Sequence, residues 1–82
     1  MTSKHEFDGA FRDVFEEVFG FGVEIHDGDG PATIEDWDSL AQVRLVHTLE
    51  TRFGIRLPDA ALLEEQTASS LKDLVREQVA RS

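Results

Sequence analysis

Apolar residues recur at helical spacing near the start of the chain. A first amphipathic helix is predicted from about Ser3 to Phe19. Ser3 and Glu6 have the spacing of a capping box, and Gly20 and Gly22 are expected to end the helix. Its inward face is expected to hold Phe7, Phe11, Val14, Phe15 and Val18.

A second amphipathic helix is predicted from about Ser39 to Phe53, with Gly54 ending it. Ser39 and Gln42 have capping-box spacing, so Ser39 is predicted to cap this helix. One face is apolar and is expected to pack inward: Val43, Val46, Leu49 and Phe53. The residues expected to point outward are Ala41, Arg44, Thr48 and Arg52.

Two further helices complete the pattern. A short helix is predicted to start at Asp59, directly after Pro58, and to pack Leu62 or Leu63 inward. A last helix is predicted from residue 69 or 70 to about residue 80, with an apolar stripe of Leu71, Leu74, Val75 and Val79. The expected fold is therefore an all-α, four-helix bundle with three longer helices and one short helix.

The first two helices are joined by a long connection, residues 20–38. Its four glycines and Pro31 prevent a regular helix, and loops of this length are often functional. Three apolar residues are expected to fix it to the core: Val23, Ile25 and Ile34. Within it, HDGDG resembles part of a calcium-binding loop, but Ile25 would fall at the first ligand position. A flexible turn is therefore predicted there.

Length and composition indicate one globular domain over residues 1–82, with 40% hydrophobic residues. Cysteine is absent, which excludes disulfides and thiolate zinc sites and is typical of a reducing compartment. The N-terminus has no apolar stretch like that of a signal peptide, and no apolar run approaches the ~20 residues that span a membrane. A cytoplasmic location is predicted.

The net charge is −9, and the acidic excess lies in the first half of the chain. Residues 1–39 hold eleven acids and two bases, and residues 40–82 hold six of each. This charge disfavours nucleic acid and anionic membranes as partners. It favours basic protein surfaces, and a monomer is expected.

Ser39 is the residue whose chemistry needs explanation. A catalytic serine requires a base within hydrogen-bond reach, but His47 is eight residues further along the helix, or ~12 Å by helical rise. The sequence does not exclude His5 and His26, but it contains no G-x-S-x-G nucleophile motif. The histidines at positions 5, 26 and 47 do not have metal-ligand spacing. A phosphodiester on Ser39, in contrast, would be stabilised by the amides and dipole at a helix N-terminus.

The segment DSLAQVRLVHTLETRFGIRLPD resembles the central part of acyl carrier proteins. The likeness covers most of the chain: the apolar first helix, the long loop, the DSL helix with Glu50, the FGIRLPD exit and the TASSLKDL segment. It implies that Ser39 receives phosphopantetheine from coenzyme A through a phosphopantetheinyl transferase and magnesium. The arm would carry an acyl group as a thioester from a loading enzyme to a downstream synthase or transferase. The protein itself would be a non-catalytic carrier.

One feature departs from the fatty-acid-synthesis carriers, whose DSL helix has a strongly acidic outward face. Here Ser39–Phe53 holds two arginines and one glutamate, and Arg44 occupies a position that is commonly glutamate. We therefore expect partners to recognise an acidic loop end together with a helix face of mixed charge. The residues expected to make these contacts are Glu35, Asp36, Asp38, Leu40 and Arg44.

Two residues beside the motif bear on the pathway and the packing. WDSL resembles stand-alone carriers of polyketide, nonribosomal-peptide or polysaccharide-modifying clusters, and Asp38 favours acyl over aminoacyl cargo. Trp37 is expected to pack the loop onto the helix, whereas Leu40 fits a core or a partner-facing position equally well. Two alternatives stay open at this point, an aminoacyl or peptidyl carrier and an unmodified acidic adaptor in which Ser39 only caps the helix.

Overall fold

A computed structural model describes residues 4–20, 22–63 and 66–81, and the side chains of all of these except residues 4, 5 and 63. Four helices form the fold: α1 (Lys4–Phe19), α2 (Ser39–Phe53), α3 (Ala60–Leu63) and α4 (Ala68–Arg81). No residue in these ranges lies in a strand. The predicted bundle of three longer helices and one short helix is confirmed. The predicted Ser3–Glu6 capping box includes a residue outside the described ranges.

The core is built on the aromatic stripe of α1. The rings of Phe7 and Phe11 lie 6.1 Å apart, and those of Phe11 and Phe15 lie 5.0 Å apart. α2 packs against this stripe, and α4 contributes Leu71 and Val75, which are both fully buried. Removal of these apolar side chains from water is the main driving force for the bundle.

The inward face of α2 includes the predicted Val46, Leu49 and Phe53, but it differs from the prediction elsewhere. Val43 is 52% exposed, whereas Leu45 is fully buried and Ala41 is buried rather than outward. Ala41, Leu45 and Leu49 recur every four residues, so they form a helical series as regular as the predicted one. Leu49 belongs to both series, and the positions of α1 and α3 against α2 place Leu45 rather than Val43 in the core.

The two C-terminal helices start close to their predicted positions. α3 begins at Ala60 and buries Ala61, while Leu62 is 46% exposed, so Leu62 is not the inward residue of the predicted pair Leu62 or Leu63. The side chain of Leu63 lies outside the described set. α4 begins one or two residues early because Thr67 caps it: the Thr67 hydroxyl accepts from the Ser70 amide at 3.1 Å, and the Ser70 hydroxyl accepts from the Thr67 amide at 2.8 Å.

The long loop is fixed to the bundle at its HDGDG turn. The Asp29 carboxylate accepts hydrogen bonds from the His26 amide at 2.9 Å and the Thr33 hydroxyl at 3.0 Å, so a turn is present as predicted, and these bonds hold its conformation. The carbonyls of Asp27 and Asp29 accept from the amides of Ser69 and Ala68, at 2.9 and 2.8 Å. The loop therefore satisfies the first N–H groups of α4.

Apolar residues of the same loop face the bundle. Ile25 and Ile34 pack against the core as predicted, whereas half-buried Val23 lines a cleft between α1, the loop and α4.

Glu50 closes the exit of α2. Gly54 adopts a left-handed conformation (φ 64°) that ends the helix as predicted, and the Glu50 carbonyl accepts from the Ile55 amide at 3.1 Å. The Glu50 carboxylate accepts from the Leu57 amide at 2.9 Å. Because the Glu50 side chain bonds to a backbone amide beyond the end of α2, it holds the FGIRLPD turn against the helix.

Candidate functional site

The start of α2 is fixed by Asp38. This residue has an extended backbone (φ −100°, ψ −172°), and its carboxylate accepts from the Ala41 amide at 2.8 Å. Its carbonyl accepts from the Gln42 amide at 2.9 Å, which begins the helical ladder. Asp38 is therefore the helix cap, and the prediction that Ser39 and Gln42 form a capping box was wrong. An aspartate one position earlier serves as the cap, and the side chain of Gln42 is bonded elsewhere.

Ser39 is the first residue of α2, and its side chain is exposed. Because Asp38 supplies the cap, the helix does not need the Ser39 oxygen. Within the described part of the chain, no hydrogen bond joins the Ser39 hydroxyl to another residue. The hydroxyl is thus open to solvent at the positive end of a 15-residue helix.

Trp37 anchors the residues before the helix. It is 1% exposed and its ring centroid lies 5.6 Å from those of Phe15 and Phe19 on α1. Its indole Nε1 donates to the Gln42 side-chain oxygen at 2.6 Å. The prediction that Trp37 packs the loop onto the helix is confirmed. The backbone at Asp38 and Ser39 is consequently held from one side by a buried ring.

The predicted partner-contact residues are all on the surface. Glu35, Asp36, Asp38 and Arg44 are exposed, and Leu40 is 69% exposed, so Leu40 is not a core residue. A groove of about 240 Å³ between the end of α1 and the start of α2 brings four of them together. Its lining residues are Val18, Phe19, Asp36, Asp38, Leu40, Ala41 and Arg44. Glu35 lies outside this groove.

A larger cleft, of about 670 Å³, lies between α1, the loop and α4. Phe11, Phe15 and Ile25 contribute apolar surface to it, and charged side chains such as Lys72 and Asp27 also line it. None of its lining residues belongs to the segment 35–44. The cleft is therefore separate from the surface around Ser39.

Neither of the two histidines with described side chains lines the groove beside Ser39. His26 and His47 are exposed, and the side chain of His5 lies outside the described set. Within residues 4–20, 22–63 and 66–81, no group of three or more histidines and acids could hold a metal ion. No helix in these ranges is long and apolar enough to cross a bilayer.

Sequence reasoning missed the role of Gln42. Its side chain is buried, accepts from Trp37 and donates to the carbonyl of Ala61 on α3 at 2.6 Å. The signal was present, since a glutamine flanked on the helix by Ala41, Leu45 and Val46 lies in the inward arc of α2. A polar residue in that arc must find partners when it is buried.

The chain matches the family model described as the phosphopantetheine attachment site over residues 10–75. The protein belongs to this family of phosphopantetheine-bearing carriers. Members carry a phosphopantetheine group covalently on a serine, and they are carrier domains rather than enzymes. The prediction of a non-catalytic carrier is confirmed. No curated protein and no solved structure gives a significant match to the chain.

The start of α2 fits the prosthetic group of this carrier family. The hydroxyl of Ser39 is exposed and unengaged, and the amides at the beginning of α2 favour the negative charge of a phosphodiester. When bound, the group would supply a thiol that can hold an acyl chain as a thioester. The chain has no cysteine of its own, so this thiol would be its only one.

Proposed function

We propose that Ser39 is the serine that bears the phosphopantetheine arm and that this carrier transports an acyl group on it. The matched segment contains three serines, at positions 39, 69 and 70. The Ser70 hydroxyl donates to the Gln66 side chain at 2.6 Å and accepts from the Thr67 amide, so it is engaged in the fold. Ser69 is half-buried against the loop. The observation that carries the proposal is the exposed and unengaged hydroxyl of Ser39.

Attachment requires an activated hydroxyl, and we propose that the transferase, rather than the carrier, supplies the base. His47 is two turns further along α2 and exposed. The Ser39 oxygen would attack the phosphorus that bears the pantetheine arm of coenzyme A. An adenosine bisphosphate leaves, and the hydroxyl proton passes to a base of the phosphopantetheinyl transferase. The transferase would also supply the bound magnesium.

Partner recognition is proposed to use two adjoining surfaces of opposite charge. Glu35, Asp36 and Asp38 form the acidic loop end before Ser39, and Arg44 lies on α2 after it. Leu40 supplies an exposed apolar contact between them. The transferase, a loading enzyme and a downstream synthase or transferase would each present basic groups to the loop end and apolar or acidic groups to α2.

The proposed cargo is an acyl group of a specialised pathway, such as polyketide biosynthesis. The carboxylate of Asp38 before the serine–leucine pair supports an acyl over an aminoacyl cargo, and the base at Arg44 supports a specialised pathway over housekeeping fatty acid synthesis. An aminoacyl or peptidyl cargo is the alternative, and loading assays with acyl and aminoacyl donors distinguish the two. A cytoplasmic location is proposed from the composition, as expected for a carrier that works with cytosolic coenzyme A.

Intact mass spectrometry tests the attachment. The purified protein is incubated with coenzyme A, magnesium and a broad-specificity phosphopantetheinyl transferase. The wild type and the control Ser69→Ala should each gain the mass of one phosphopantetheine, and Ser39→Ala should gain none. A wild-type protein that keeps its bare mass would instead support the unmodified adaptor.

Arg44→Glu tests the proposed recognition surface. The reversed charge should raise the KM of the cognate loading enzyme severalfold at low salt with little change in kcat, because the charge acts in docking. Arg56→Glu is the matched control, since Arg56 is exposed beyond the end of α2 and outside the groove. Equal kinetics for Arg44→Glu and wild type with every cognate enzyme would count against this surface.

A further inference from the structure

Gln42 joins two parts of the fold that are distant in sequence. Its side-chain oxygen accepts from the Trp37 indole at 2.6 Å, and its side-chain nitrogen donates to the Ala61 carbonyl at 2.6 Å. Both bonds are buried. Trp37 is two residues from Ser39, and Ala61 is in α3. One amide therefore connects the attachment segment, residues 37–39, with the short helix.

Helix α3 depends on such side-chain bonds for its position. It has four residues, which is too short for a helix to be stable by itself. Its first two carbonyls are bound by glutamines: Ala61 by Gln42, and Ala60 by Gln66 at 3.0 Å. Gln66 in turn accepts from the Ser70 hydroxyl on α4. The short helix is thus held on one side by α2 and on the other by α4.

We infer that Gln42 is a positioning residue that links the placement of α3 to the presentation of Ser39. If α3 moves away from α2, the Gln42 amide loses the Ala61 carbonyl, and a buried amide without a partner is unfavourable. Reorientation of this amide also removes the acceptor of the Trp37 indole. Trp37 directly precedes the cap at Asp38, so the change reaches the start of α2.

Through this linkage, a movement of α3 would change the conformation at the attachment site. Leu62 is exposed on α3, and Leu40 and Val43 are exposed on α2, so a partner can contact both helices. A partner or cargo that displaces α3 would then alter how Ser39 and its arm are presented. The consequence at Ser39 rests on the proposed function, whereas the link between α3 and Trp37 does not.

A double-mutant cycle on the unmodified protein tests the link, with Trp37 as the only tryptophan. Gln66→Leu loosens α3 without touching Trp37. When Gln42 is present, Gln66→Leu should speed amide exchange at Ala61 and Leu62 and shift the indole N–H resonance of Trp37. When Gln42 is replaced by leucine, Gln66→Leu should still speed that exchange but leave the indole resonance unchanged. An equal indole shift in both backgrounds would overturn the inference.

A second variant keeps the test decisive if Gln42→Leu does not fold. Gln42→Glu retains an acceptor for the indole but cannot donate to the Ala61 carbonyl when ionised. It should speed exchange in α3, and added Gln66→Leu should then leave the Trp37 resonance unmoved. Continued movement of that resonance would contradict the link.

The rate of arm attachment gives the functional readout. Gln42→Leu should slow phosphopantetheine transfer severalfold, and Gln66→Leu should slow it only while Gln42 is present. Equal slowing by Gln66→Leu in both backgrounds would show that Gln42 does not carry the effect. A wild type that gains no arm would refute the proposed function while the Trp37 measurements still decide the link.

Discussion

At the residue scale, Asp38 and Ser39 differ in how their side chains are engaged, although both belong to the same turn. The carboxylate of Asp38 satisfies the Ala41 amide, and the hydroxyl of Ser39 projects into solvent. If the serine capped the helix, its oxygen would be engaged in the fold and less available to an enzyme. The division of tasks leaves residue 39 free to be modified without loss of the helix end.

Substitution of each residue by alanine should separate these tasks. Asp38→Ala should lower the free energy of unfolding by about 1 kcal/mol, the usual cost of a lost cap. Ser39→Ala should change it by less than about 0.5 kcal/mol, because an exposed side chain without a fold contact is removed. Urea unfolding followed by Trp37 fluorescence measures both. If Ser39→Ala lowered the free energy of unfolding more than Asp38→Ala, Ser39 rather than Asp38 would be the helix cap.

Asp29 should titrate below the ordinary value for an aspartate. The His26 amide, and secondarily the Thr33 hydroxyl, donate to its carboxylate and lower its pKa below 3.8. Since the folded pKa is depressed, the ionised carboxylate favours the folded turn above the unfolded pKa. This contribution is lost as the pH falls through the folded pKa.

Carbon-detected NMR titration of the Asp29 carboxyl checks this expectation. Thr33→Val should move the midpoint part of the way back toward 3.8, because the larger contribution of the His26 amide remains. A wild-type midpoint at or above 3.8 would show that the turn does not hold the ionised carboxylate.

At the scale of elements, the loop and α4 are fitted to one another through their backbones. Two loop carbonyls cap the first amides of α4, and Gly30 lies against the residue before that helix. A Cβ at position 30 would lie 2.8 Å from the Gln66 carbonyl oxygen. Only glycine allows this close approach, so the middle of the long connection is fixed against the bundle.

Gly30→Ala should therefore disturb the loop, with Gly28→Ala as its matched control. Because a backbone atom obstructs the new methyl, Gly30→Ala should cost about 1–3 kcal/mol of unfolding free energy. Apart from its chain neighbours, no atom of the described residues lies within 4 Å of a Cβ built at Gly28, so that variant should stay within about 0.5 kcal/mol of wild type. Urea denaturation compares the two. Equal unfolding free energies for the two variants would contradict the close approach of the loop to the Gln66 carbonyl.

The helices could be predicted from the sequence because their signals are local. The aromatic stripe of α1 and the glycine at the end of α2 require only helical periodicity and a left-handed residue. The buried face of α2 could not be chosen in this way, since Val43 and Leu45 each belong to an apolar series. Their burial depends on where α1 and α3 lie, which is tertiary information.

The candidate site could likewise be predicted in part. The motif identified Ser39 and the exposed charges around it, and aspartate and serine are both common caps, so the cap was assigned to the wrong neighbour. The bridge from Trp37 through Gln42 to Ala61 spans 24 residues of sequence and no local pattern specifies it.

At the scale of the whole molecule, Ser39 lies at the boundary between an acidic and a more neutral part of the chain. The acidic excess is confined to residues 1–39. On α2, the exposed side chains after Ser39 include two bases, one histidine and no acid: Leu40, Val43, Arg44, His47, Thr51 and Arg52. The carboxylate of half-buried Glu50 accepts a hydrogen bond from the Leu57 amide, so it is engaged within the fold. A partner that docks over Ser39 must match both surfaces.

The most direct test of the carrier account is to locate the arm by tandem mass spectrometry after transfer from coenzyme A. Trypsin releases residues 13–44 as one peptide, and Ser39 is the only serine in it. We expect the added phosphopantetheine in this peptide and on Ser39. An arm found in the peptide that holds Ser69 and Ser70, or a fully competent transferase that leaves residues 13–44 unmodified, would contradict the assignment.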